Sequence, residues 1–191
     1  MKNGVIGVML FLSAMVAAAQ PATNRPADWA QPLVRPGISN FYQVTTNLFR
    51  GAQPTAEGMK QLKAMGIKTV VNLRSFHSDK DEVQGTGLKS VRFEVKPWHA
   101  EDEDVIGFLK VMTDTNNFPV FVHCQRGADR TGMMCAMYRI VDCGWTKEQA
   151  IEEMKAGGFH FSPVWKDLVN YIETVDVNEI KRRTAKPSKK E

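Results

Sequence analysis

The chain has 191 residues, four histidines, three cysteines and a formal net charge of only +4, of which Lys2 supplies one. The cationic excess gathers in Lys181-Arg182-Arg183 and in Lys186, Lys189 and Lys190, with no aromatic residue interleaved. That excludes a nucleic-acid patch and leaves residues 179–191 as a basic, flexible, solvated tail.

Residues 1–19 read as an export signal. Met1-Lys2-Asn3 is a short positive start, Gly4 to Val16 is apolar, and Ala17-Ala18-Ala19 fits a small-residue cleavage site before Gln20. The run is short for a membrane span, and no other apolar stretch approaches spanning length. The mature protein is therefore expected outside the cytoplasm, periplasmic or secreted, as a monomer without a stable span; an uncleaved anchor is the alternative. Residues 20–37 carry Pro21, Pro26, Pro32 and Pro36, the composition of an extended linker. One domain follows over residues 38–178.

Within that domain Phe41 to Phe49 predicts one or two short strands. Thr55 is an N-cap for a helix to Met65, which Gly66 stops. Lys68 to Leu73 and Val91 to Val95 predict buried strands, separated by a polar loop from Ser75 to Gly87. Glu101 to Thr113 places Val105, Ile106, Phe108, Leu109 and Met112 at helical spacing behind an acidic start. Thr146-Lys147-Glu148-Gln149 is a capping box opening a helix to about Ala156, and Ser162-Pro163 opens a last helix through Ile172. Strands alternating with helices predict an α/β fold with a mostly parallel central sheet flanked by helices.

The richest stretch runs from Phe118 to Val141. An apolar run, Val120-Phe121-Val122, leads through His123 into Cys124-Gln125-Arg126-Gly127-Ala128-Asp129-Arg130, and Thr131-Gly132 opens an apolar segment of helical length. A strand, a tight loop and a helix N-terminus in that order make an anion site, because loop N–H groups and the helix dipole converge. A thiol at such a mouth ionises easily, and the planar fork of Arg130 grips two oxygens of a phosphate. Thr131 can steady the thiolate as it leaves, and Gly127 permits a tightly wrapped loop. These residue types predict covalent catalysis by Cys124 on an oxyanion held by Arg130 and the backbone of Gln125, Arg126, Gly127, Ala128 and Asp129.

His123-Cys124-x5-Arg130-Thr131-Gly132 resembles the signature loop of the cysteine-dependent protein tyrosine and dual-specificity phosphatases. Asn47 to Thr55 and Gly66 to Arg74 resemble the compact atypical dual-specificity branch, which has bacterial, plant and fungal members, some of them acting on inositol pyrophosphates. The resemblance spans about residues 38–174. It implies hydrolysis of a phosphomonoester through a phosphocysteine, with no metal or other cofactor, on a phosphorylated protein or a small phosphoester. It also implies a general acid on a loop before the cysteine. Pro97 to Asp104 occupies that place without a Trp-Pro-Asp sequence, so Asp102 is the choice, with Glu101, Asp104 and His99 as rivals and plain helix capping as the bland alternative. In the resemblance His123 tunes Cys124. Gln125, Ala128 and Asp129 make the loop less basic than expected for a highly phosphorylated inositol.

Arg50 and Arg74, each at the end of a predicted segment, reach either the site rim or a structural ion pair; Phe159, His160 and Phe161 wall the pocket or join the core. Cys135 and Cys143 read as small core residues, and a disulfide from either to Cys124 would silence the site. Two other classes share a cysteine loop: a sulfur-transfer enzyme, and a phosphate-binding module without turnover. Arsenate reduction lacks an obvious resolving pair.

Overall fold

The computed structural model describes residues 25–185; the signal-like segment lies outside them. At its centre is β6 (Val120–His123), all four residues buried, flanked in parallel by β3 (Leu48–Gly51) and β4 (Thr69–Asn72). The sheet order is β1-β2-β3-β6-β4-β5, with β5 (Lys89–Arg92) parallel to β4, and β1 (Gln31–Pro32) and β2 (Tyr42–Gln43) antiparallel at the far edge. A strand covered on both faces must be apolar without interruption, which is why residues 118–122 show no alternation. Successive residues still face opposite sides. Phe121 joins Phe49, Val70, Met59 and Leu62 under α1 (Ala56–Ala64), while Val120 and Val122 join the larger core on the other face.

That larger core is built by α2 (Asp102–Thr113), α3 (Asp129–Val141), α4 (Lys147–Ala156), α5 (Lys166–Thr174) and α6 (Val177–Thr184). Helix α3 is buried along nearly its whole length, from Asp129 to Ile140. Register opposes both Gly51 and Asn72 to His123. Three parallel strands thus end level, and the loops after them meet at the carboxyl edge of the sheet, where α/β sheets hold ligands.

The strand expected to be buried over Val91 to Val95 is β5, earlier in the chain and largely exposed because it lies at the sheet edge, and three other boundaries differ from expectation. Residues 25–37 are part of the fold: β1 joins the sheet, Arg25 Nη1 donates to Gly157 O (2.8 Å), and Arg139 Nη2 donates to Asp28 O (2.9 Å). Residues 179–184 of the expected tail belong to α6, capped by the Asp176 carboxylate and pinned through buried Ile180. The last long helix starts at Lys166, not beside Pro163, because the Ser162 N–H is drawn to Asp129 Oδ1 (2.8 Å). No helix among the described residues is long and apolar enough to cross a membrane.

Arg139 of α3 and Glu153 of α4 form a two-pronged buried pair, Nε to Oε2 and Nη2 to Oε1, both 3.0 Å. The Ala30 N–H also donates to Glu153, so one carboxylate joins two helices and the N-terminal segment. Removing one member of such a pair strands the other in a low dielectric. Arg139→Met is therefore expected to lower unfolding free energy by about 3–5 kcal/mol in urea titrations. Arg182→Ala, which breaks only the exposed pair with Glu179, is expected to change it by less than about 0.5 kcal/mol.

Candidate active site

Cys124 follows β6 directly, 2% exposed, at the mouth of the loop 124–128, and α3 begins at Asp129. Burial works against its thiolate. That is outweighed by the Thr131 hydroxyl and N–H, by the Arg130 guanidinium and by the Gly127 N–H, which together hold the thiol below its ordinary range. The Thr131 hydroxyl is buried and has no hydrogen-bond partner among the described residues, which leaves it available to the neighbouring thiolate. Cys135 has no such help: burial pushes it up to about 11. All three cysteines are free thiols.

Turning N–H groups inward turns carbonyls outward, and each carbonyl from Cys124 to Ala128 finds a donor. His123 Nδ1 lies 3.1 Å from Cys124 O, and the Gln53 N–H donates to Gln125 O (3.2 Å). Asn40 Nδ2 donates to Arg126 O (2.9 Å), and Arg50 Nη2 to Gly127 O (2.8 Å) and Ala128 O (3.3 Å). Gly127 has φ +67°, and a Cβ there would stand 2.2 Å from the Gly51 carbonyl carbon, so no side chain fits where the loop crosses the end of β3.

Arg130 Nη1 donates to Leu73 O and Val95 O, both 3.2 Å, so the carboxyl ends of two neighbouring chain segments aim the guanidinium. Asp129 is inward and structural, accepting from Ser162 N and from Arg126 Nη2 (3.1 Å). Arg126 is thus partly neutralised at the rim. A cleft of about 570 Å³ opens beside the loop, lined by Leu33, Asn40, Tyr42, Gln125, Arg126 and His160.

Arg50 meets neither of its two expected fates. It is 1% exposed, has no carboxylate partner among the described residues, and lies 3.7 Å over the ring of Phe159 while holding the loop carbonyls. Phe159 is core; His160 lies on the cleft. Asp102 is engaged elsewhere: the Tyr171 hydroxyl donates to its Oδ1 (2.8 Å), and Arg183 lies 3.8 Å from Oδ2. Asp104, two residues on, points about 200° away around the helix. Burial, then the neighbouring Glu101 charge, raise its carboxyl above the usual range, while Lys96 and His99 oppose this.

Sequence reasoning missed Asp79. Its side chain is wholly buried, with Oδ2 2.8 Å from His123 Nε2 and Oδ1 accepting from Gln53 Nε2 and Asn72 Nδ2, both 2.9 Å. The one signal available was an acid in a polar loop. His77, Asp79 and Glu82 bring three donor atoms within 4.8 Å of one another, yet the Asp79 oxygens are already committed to protein donors, which disfavours a metal ion there.

A phosphatase family described as "DSP-PTPase phosphatase fused to NAD+ Kinase" matches residues 36–168. The dual specificity protein phosphatase TpbA of Pseudomonas aeruginosa (strain PAO1) is 38% identical over 181 residues, covering 93% of this chain and 80% of that protein. The inositol diphosphatase DSP3 of Arabidopsis thaliana is 26% identical, covering 75% of this chain and 73% of that one. The crystal structure of P. aeruginosa TpbA superposes with a TM-score of 0.74 at 32% identity, over 84% of this chain and 98% of that one; another, with a TM-score of 0.75, holds phosphotyrosine. With the geometry of the loop, these likenesses establish that the chain belongs to the dual-specificity phosphatase family and is a cysteine-dependent phosphatase.

Proposed function

We propose that the protein dephosphorylates phosphotyrosine-type esters outside the cytoplasm through a phosphocysteine. The observation that carries this is the arrangement of Cys124, whose thiol is lowered by Thr131, Arg130 and Gly127, in a loop whose carbonyls are all taken from outside. The Cys124 thiolate attacks phosphorus, and the bond to the ester oxygen breaks. Arg130 and the N–H groups from Gln125 to Arg130 meet the equatorial oxygens, whose charge is spread in the transition state. Water then displaces the sulfur, and Thr131 steadies the departing thiolate.

The general acid is assigned to Asp104. Asp102 is occupied by Tyr171 and Arg183, whereas Asp104 sits in a setting that favours the protonated carboxyl a leaving oxygen needs. The aryl ester is favoured over a highly phosphorylated inositol because the cleft beside the loop carries one arginine, itself paired with Asp129, among apolar and aromatic side chains. The related TpbA structure with phosphotyrosine bound supports the same substrate class. Export rests on the apolar run and small-residue site of residues 1–19.

Hydrolysis of p-nitrophenyl phosphate by residues 20–191 in reductant is expected to survive EDTA and to vanish in Cys124→Ser; inorganic phosphate bound without turnover would make the chain a binding module instead. A raised acid stays protonated to higher pH, so the alkaline fall in kcat/KM reports its loss of a proton. Asp104→Asn is expected to lower kcat about 10²-fold and flatten that alkaline limb, while Asp102→Asn keeps the limb; the reverse pattern would return the role to Asp102. Because Cys124 is lowered and Cys135 raised, iodoacetamide at pH 6 is expected to label one cysteine, read by peptide mass spectrometry.

A further inference from the structure

We infer that Asp79 is a positioning residue for the nucleophile: it keeps His123 donating from both ring nitrogens, a cation adjacent in sequence to Cys124. The inference rests on Cys124 being the reactive thiolate, as proposed above.

The argument is one of proton accounting. His123 is completely buried in β6, and its two ring nitrogens meet oxygens only: Cys124 O at Nδ1 (3.1 Å) and Asp79 Oδ2 at Nε2 (2.8 Å). A carbonyl oxygen can only accept, so Nδ1 carries a proton. The proton between Nε2 and Oδ2 belongs either to the ring or to the acid, and the far side of the carboxylate decides which. Asp79 Oδ1 faces two amide groups whose orientation is fixed from behind by one residue. The Arg74 N–H donates to Asn72 Oδ1 (2.8 Å), and Arg74 Nη1 donates to Gln53 Oε1 (3.2 Å). Both amides therefore present N–H to Asp79. Hydrogen bonds from two N–H donors favour the ionised form of the carboxyl group, which places the shared proton on His123. Burial opposes the ionised acid, but the His123 contacts and the Gln53 hydrogen bond hold Asp79 below the usual carboxylate range.

The charges around the pair are few. His77 Nε2 lies 3.8 Å from Asp79 Oδ1 and 3.2 Å from Glu82, on the solvent side. Arg74 stands behind the amides, and Arg130 lies on the Cys124 side. Asp79 itself does not touch substrate. Through His123 it fixes the Cys124 carbonyl outward and sets a positive charge at the end of β6, one residue before the nucleophile, so its removal changes the thiol's titration rather than the shape of the pocket. The arrangement also gives Arg74 a role beyond a surface ion pair, that of orienting the two amides.

Two measurements test this. In the wild-type protein, ¹H–¹⁵N spectra of the His123 ring at pH 7 are expected to show protons on both nitrogens; a neutral ring with one bare nitrogen would overturn the inference, and this arm needs no variant of Asp79. In Asp79→Asn, nearly the same size but uncharged, the rate of iodoacetamide alkylation of Cys124 at pH 5.5 is expected to fall about tenfold, the effect of one unit on the thiolate fraction, with circular dichroism unchanged. A folded variant whose Cys124 titrates as in the wild type would overturn it; should the variant not fold, the wild-type spectrum decides. Neither readout uses turnover, so failure of the proposed reaction with both results as expected would count against that reaction and not against this pair.

Discussion

Five consecutive carbonyl groups, from Cys124 to Ala128, face away from the mouth of the signature loop, and each must be matched for the N–H face to point inward. Buried polar groups left unmatched cost free energy on the order of 1–3 kcal/mol each. The donors come from the loop's own strand (His123), from the end of β3 and the residues after it (Arg50, Gln53), and from Asn40, which holds φ +50° to reach its acceptor. Arg50 is the most demanding of these, a guanidinium sealed in the core without a carboxylate and resting on Phe159. A cation buried in this way is costly unless well hydrogen-bonded. Its setting in the fold is explained by the carbonyls that it serves.

From that constraint the chemistry follows. With the outward groups satisfied by the body of the protein, the loop keeps its shape without a ligand, which is what electrostatic preorganisation requires. Arg130 is held by carbonyls of Leu73 and Val95, which follow the ends of β4 and β5 by one and three residues. The level strand ends that bring these groups together are a product of register, Gly51 and Asn72 both opposite His123. The thiol of Cys124 is lowered by short-range donors at the loop and the start of α3, whereas Cys135, one helix turn beyond Thr131, is raised chiefly by burial in the same core. Two cysteines eleven residues apart thus have opposite reactivity for reasons local to each.

How much of this was legible in the sequence depends on how far each partner lies along the chain. The nucleophile, its arginine and the strand-loop-helix frame sit within fifteen consecutive residues, and their pattern carries its own physics. The parallel sheet was legible because doubly covered strands must be apolar throughout. The groups behind the loop were not: Asp79 meets His123 across 44 residues, and Arg50 meets Gly127 across 77, contacts that only the folded sheet creates. That Asp102 is engaged by Tyr171 was not legible either, because spacing alone does not say which helix will pack against α2. Helix α6 escaped notice because its anchoring rests chiefly on one buried apolar residue, Ile180, in a run of charges.

The most direct test of the central claim is a crystal structure of Cys124→Ser soaked with phosphotyrosine. The account predicts the phosphate ringed by the N–H groups of residues 125–130 and gripped by Nε and Nη2 of Arg130, the edge that Leu73 O and Val95 O leave free, with Arg50, Asn40 and Gln53 still holding the carbonyls behind. A phosphate bound elsewhere, or a loop whose carbonyls turn inward when Arg50 lets go, would contradict it.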